Sequence, residues 1–310
     1  MIISNLNSSI PAPDGIDRKV TERMSFLNTV ADHVPVILVN EETMDRICPP
    51  GIGYDAHCVR ELLSQYYQEK KLADAKDYPG KPEETERIWD RIVEKCRHVV
   101  FSAIGVYTEN IPPVLLGIDL KDTGIGKKNS ETIWETIENN SRKVVYLCPE
   151  RVMEEALEIS KKPQNPFDDI FLYIIFHEYT HAFITKGTNL KKYESVIEES
   201  LAAAVAYQRF STSSEIYNIS RFLSNDKLPA EYRSFTFWTE VSRALPLIAI
   251  VDKWKRGDLA FSVVGMDFDD FLISSDLFLE YGFAHFRRFN DSKGEESMLE
   301  NLAIRVLMHA

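Results

Sequence analysis

The sequence predicts an α+β protein in which a mixed N-terminal part with a small sheet precedes a mainly helical C-terminal part. Two observations predict this class. Short runs rich in β-branched and aromatic residues, VPVILVN (34–40), Val99–Tyr107, Val114–Ile118 and RKVVYLC (142–148), all fall in the first half of the chain. After Asn165 apolar residues recur at helical spacing, and the turn-forming NPFDD at 165–169 separates the two patterns. With 310 residues the chain can bury a sizeable core, as two domains or one large one. We divide it into residues 1–140, a mixed α/β part of unread role, and 141–310, the part that carries the chemistry below.

Taken in order, Ile16 to about His33 reads as a helix and Val34–Asn40 as a strand. Long amphipathic helices are expected over about Tyr54–Asp77 and Pro82–Arg97, separated by the breaker YPGKP. The strands Val99–Tyr107 and Val114–Ile118 follow, joined by ENIPP. KDTGIGKKNS superficially suggests a phosphate loop, but the first glycine of GxxxxGK[ST] falls on Lys121 and Lys128 stands at the Ser/Thr position. It reads as a surface loop. RKVVYLC is a buried strand, and PERVMEEALEIS places proline at a helix start. Helices are then expected over Asp168–Thr185, Lys191–Phe210, Ser214–Ser224, Glu231–Lys255, Phe268–Phe289 with a break near Gly282, and Glu295–His309.

Composition excludes several classes. With 44% hydrophobic and 27% charged residues the chain is neither disordered nor fibrous. Thirty-six basic against 48 acidic residues give a net charge of −12, which repels phosphate backbones and anionic membrane surfaces. Nucleic acid is not an expected partner. The apolar runs Ile170–Phe176 and Ala244–Val251 are too short to span a bilayer, and MIISNLNSSIPAPDG lacks the pattern of a secretory signal, so a cytoplasmic protein is expected. Four cysteines (48, 58, 96 and 148) without a CxxC spacing read as reduced core thiols. A second zinc site from His57, Cys58, Cys96 and His98 lacks the tight ligand spacing of structural sites. Oligomeric state is not legible.

The motif that carries chemistry lies inside FLYIIFHEYTHAF: His177-Glu178-Tyr179-Thr180-His181, an HExxH sequence. Residues four apart on a helix share a face, so both imidazoles project together and suit one Zn²⁺, for which neutral imidazole is a fitting ligand. Glu178 cannot easily join them as a ligand from the same turn. It can instead reach a water on the ion and accept its proton. Chance supplies HExxH in roughly one 300-residue chain in a hundred, but these flanks, Ile174, Ile175, Ala182 and Phe183, are apolar and proline-free. Three ionisable groups on such a helix cost several kcal/mol unless a metal or other partners offset them. The plainer alternative is a pair of hydrogen-bonded core histidines beside a paired glutamate.

A third ligand should come from another element, and YESVIEESLAAAVA offers Glu194, Glu198 and Glu199. Glu199 is preferred because its helical face continues through Ala202, Ala203 and Ala206, small residues that permit close helix approach, whereas Glu198 continues through Leu201 and Val205. A charged helix edge is the competing reading of these glutamates.

HEYTH followed after 17 residues by E-S-L-A resembles the gluzincin metallopeptidases, zincins in which a glutamate from a downstream E-x-x-[AS]-[DN] stretch completes a His₂Glu site. The resemblance covers about Phe171–Ala206 and implies a zincin-like fold with His177, His181 and Glu199 as ligands and Glu178 as base. It departs from the family at Ala203, where Asp or Asn usually orients a histidine ligand, so another residue must take that role. The metzincin extension is absent, because Ile184 and Gly187 occupy its glycine and third-histidine positions.

The resemblance further implies a Tyr or His from the helical part beside the tetrahedral intermediate. Tyr281 and His285 share one face in LEYGFAHF, with a structural histidine as the alternative at 285. It also implies an edge strand before the active-site helix along which an extended peptide lies antiparallel. Val144–Cys148 holds that place in the order, with a fully paired interior strand as the alternative. The leading expectation is therefore a zinc-dependent peptidase acting on a peptide or protein. A non-catalytic zinc-containing regulatory module and a zinc hydrolase of a non-peptide bond are the alternatives.

Overall fold

The computed structural model describes residues 3–24, 34–55, 94–109, 143–162, 164–184, 192–225 and 246–256, with single positions 58, 61, 62, 65, 91, 228, 229, 232, 235 and 238. Its architecture is mixed α+β, and the chain divides into two compact units.

The first unit comprises Met1–Gly51, Ser102–Thr185 and Val205–Leu223. Its strands are β1 (Ile3–Asn5), β2 (Val36–Leu38), β5 (Gly105–Thr108) and β6 (Val144–Leu147), joined in one sheet of order β1-β2-β6-β5. β1 pairs parallel with β2 and β2 parallel with β6, in the registers Ile3↔Val36 and Val36↔Val145. β5 runs antiparallel to β6, with Gly105 opposite Leu147 and Tyr107 opposite Val145. The central strands VIL and VVYL are buried at every position, as continuous apolar strands covered on both faces should be. One face carries Ile37, Val144 and Tyr146 into a cluster with Leu6, Val39, Met44 and Cys148.

Among the described residues, four helices belong wholly to this unit besides the site helix. They are α1 (Ile16–Arg23), α2 (Glu41–Ile47), α3 (Pro149–Ile159) and α6 (Ser213–Leu223). Asn40 caps α2 by accepting from the Thr43 N–H at 2.9 Å, and Pro149 opens α3 where its missing N–H costs nothing. The site helix α4 (Gln164–Ile184) packs against α3, α6, α1, β5 and β6. Fourteen of its residues are buried, which is why its apolar residues surround the helix instead of forming a stripe.

The second unit comprises Ile52–Phe101, Lys186–Ala204 and Ser224–Ala310. It pairs β3 (Gly51–Tyr54) with β4 (Arg97–Phe101) and contains α7 (Leu247–Arg256). Helix α5 runs Lys192–Tyr207.

Several expectations are corrected. Val99–Tyr107 is not one strand: the chain breaks at Ser102–Ile104, and β4 and β5 belong to different sheets. Tyr54 ends a strand instead of starting a helix. Val144–Cys148 is the interior alternative, since β6 is paired on both sides and β5 is the terminal strand among the described residues. Four reduced thiols are not found either. Cys58 and Cys96 form a disulfide with Cα atoms 5.4 Å apart, and Cys48 and Cys148 are thiols outside any disulfide. The helices expected over 268–289 and 295–309 lie outside the described residues. No helix among the described residues is long and apolar enough to cross a membrane.

Candidate metal centre

The HExxH sequence occupies the last two turns of α4, and the helical spacing does what it implies. The Nε2 atoms of His177 and His181 are 3.1 Å apart, with the rings edge to face. Two nitrogens each roughly 2.0–2.1 Å from one tetrahedral ion sit about 3.3 Å apart, so the pair already has nearly the separation that shared coordination requires. His177 is 2% exposed, and its ring lies 6.1 Å from that of Tyr173 one turn back, whose ring in turn meets Phe210 and Phe222. That aromatic packing limits the rotamers open to the imidazole.

Glu199 on α5 joins the group: one ligand atom from each of His177, His181 and Glu199 lies within 4.8 Å of the others. Among the described residues these three side chains could hold a metal ion, and two imidazoles with a carboxylate form a donor set that suits zinc. Glu198, the competing carboxylate, is 5% exposed and does not belong to the group, whereas Glu199 is half-buried. Ala202, Ala203 and Ala206 are all fully buried. The next residue, Ser200, is also fully buried and accepts a hydrogen bond from Trp238 Nε1 at 2.8 Å, which anchors α5 beside Glu199. The side chain of Glu194 lies outside what is described.

Glu178 is 7% exposed, and a carboxylate so buried needs a donor. It has one from outside its helix, since Oε2 accepts the main-chain N–H of Tyr107 on β5 at 2.8 Å. The strand comes this close because residue 105 is glycine. A Cβ there would run into Ile174 Cγ2 and lie 3.1 Å from Glu178 Oε1 and 3.2 Å from its Cγ. The other residues of the motif anchor the helix. Tyr179 donates its hydroxyl proton to the Val34 carbonyl at 2.9 Å, and Thr180 donates to the Phe176 carbonyl one turn back at 2.7 Å.

No protein-family model, curated protein or solved structure matches the chain. The function must therefore be argued from the site.

Of the residues singled out in the sequence, His177, Glu178, His181 and Glu199 are described, and the two histidines and Glu199 come together. Tyr281 and His285 lie outside the described residues. Sequence reasoning missed Gly105 and Tyr107. Both act through the main chain: the glycine at 105 shows that a close approach is allowed but not to what, and the Tyr107 amide leaves no signature in residue type.

Proposed function

We propose that the protein is a zinc-dependent hydrolase of peptide bonds, similar to the gluzincin metallopeptidases. The observation that carries this reading is the combination on two turns of α4: a histidine pair grouped with Glu199, and beside it a buried carboxylate that is not part of that group. A site that only held a metal for structure would need ligands and no such neighbour. His177, His181 and Glu199 would hold the ion, which when bound supplies Lewis-acid polarisation and a more acidic water.

The chain's own residues account for the remaining work. Glu178 accepts the proton of the attacking water and can return it to the leaving amine, as one carboxylate can do in successive steps. The buried surroundings, with Ile175, Phe176 and Tyr179 fully enclosed, keep bulk water from competing for that proton. Strand β5 is the terminal strand of its sheet among the described residues, which supports an extended peptide laid along its outer side, with the Tyr107 amide itself committed to Glu178. This takes over the part that the sequence had suggested for Val144–Cys148.

The test is Glu178→Gln. The substitution keeps shape and hydrogen-bonding capacity but cannot take a proton at neutral pH. Wild type and variant are incubated with a peptide library and the products compared by mass spectrometry. Turnover should fall about 10²–10⁴-fold with zinc content unchanged. Equal cleavage by both proteins would remove Glu178 from the mechanism, and absence of cleavage by zinc-loaded wild type would overturn the peptidase reading.

A further inference from the structure

A carboxylate that must receive a proton at one place has to be held there, and a glutamate has three side-chain torsions to fix. The backbone of α4 cannot do this, because its amides at mid-helix are committed to their own ladder. The holding group must come from another element.

We propose that strand β5 positions Glu178: the Tyr107 amide fixes the carboxylate, and residue 105 lacks a side chain so that the strand can reach it. This rests on the hydrolase reading above and adds two residues to it. Two independent features converge on one side chain. The first is the hydrogen bond from Tyr107 N to Glu178 Oε2 at 2.8 Å. The donor is rigid, since Tyr107 stands opposite Val145 and Val106 opposite Tyr146, and β6 is held on its other side by β2. The second is the approach at Gly105. Ile174 and Glu178 are four residues apart and share one face of α4, and Gly105 lies over both. Any side chain at 105 would first strike Ile174 and then crowd the Glu178 carboxylate. A backbone donor also differs from a side-chain one in having no rotamer to lose, so the carboxylate is held without ordering a second flexible group.

The experiment uses full-length, metal-free protein labelled with ¹⁵N at its 13 tyrosines, with the Tyr107 amide assigned through Tyr107→Phe, which preserves the main chain. Amide exchange is measured at Tyr107 and, as a reference within α4, at Tyr179. Replacing Glu178 with Ala should speed exchange at Tyr107 about tenfold or more while Tyr179 keeps its rate. Glu178→Gln, which retains an acceptor, should leave Tyr107 close to wild type. Gly105→Ala should speed Tyr107 exchange, and adding Ile174→Ala, which removes the first clash, should restore much of the protection. Unchanged exchange at Tyr107 in Glu178→Ala would overturn the proposal.

The same variants loaded with zinc give the functional half. Gly105→Ala should keep its zinc and lose peptide turnover in kcat more than in KM, with partial recovery in the double variant. Changed exchange with unchanged kcat would show that β5 contacts Glu178 without positioning it for the reaction. If zinc-loaded wild type cleaves no peptide, the hydrolase reading fails, and the exchange rates still decide whether β5 holds the carboxylate.

Discussion

The hydroxyl of Tyr179, the central residue of HEYTH, donates to the main-chain oxygen of Val34 at 2.9 Å in a fully buried bond across 145 residues. The turn of α4 that carries the candidate metal ligands is thereby tied to the residue two positions before β2. Tyr179 occupies one of the two positions that HExxH leaves open. Its identity therefore matters for the fold, although the motif places no demand on it.

Tyr179→Phe should consequently destabilise the protein by about 1–3 kcal/mol, the range for removing one partner of a buried hydrogen bond. Chemical denaturation of the metal-free chain measures this. The cavity term is small because the ring stays, so a loss well beyond that range would mean that the hydroxyl supports more than the bond to Val34.

A second tether joins the segment after β1 to α3. Glu150, in the first turn of α3, accepts from the Ser9 amide at 2.6 Å, from Ser9 Oγ at 2.8 Å and from Ser8 Oγ at 3.0 Å. Burial opposes ionisation of this carboxyl, but the hydrogen bonds from Ser9 and Ser8 outweigh it and hold the group below its ordinary value. A carboxyl depressed in the folded state contributes stability that is present above its unfolded value and is lost as pH falls through the folded one. Glu150→Gln should accordingly narrow the gap in Tm between neutral solution and solution acidic enough to protonate an ordinary glutamate, below about pH 4. Parallel Tm–pH curves for wild type and variant would show that the Ser8–Ser9 clamp has no ionic component.

The disulfide predicts a thiol count. Denatured without reductant, the protein should show two reactive thiols, from Cys48 and Cys148, and four after reduction. Within the fold even Cys148 should react slowly, because burial pushes its thiol up to about 12 and little thiolate forms at neutral pH. Four reactive thiols before reduction would contradict the Cys58–Cys96 bond.

How far the sequence could be read depends on range. β6, α3, α4, α5 and α6 were legible because each has a strong local signal: a β-branched run, a proline at a helix start, or an apolar period. The three metal-group residues were legible because two lie on one helix and the third adjoins an alanine face. What was missed depends on pairing between distant segments. β1 is three residues, too short for a pattern, and exists because it lies beside β2. The break between β4 and β5 leaves only a weak mark in Phe101–Gly105, where Ala103 and Gly105 are poor strand formers, and it is decided when the two halves find different partners. Cys58 and Cys96 are 38 residues apart with no local cue to their bond. Gly105 and Tyr107 are legible only after the strand lies on the helix.

The central claim is a metal centre made of His177, His181 and Glu199, and it is tested most directly by metal content and affinity in purified protein. Wild type should bind about one Zn²⁺ per chain, and His177→Ala or His181→Ala should abolish tight binding, since the two ligands left rarely hold the ion against water. The decisive comparison is between adjacent carboxylates: Glu199→Ala should weaken zinc binding far more than Glu198→Ala, measured by competition with a chelator of known affinity. Equal zinc affinity in wild type and Glu199→Ala, or a larger loss in Glu198→Ala, would contradict the account.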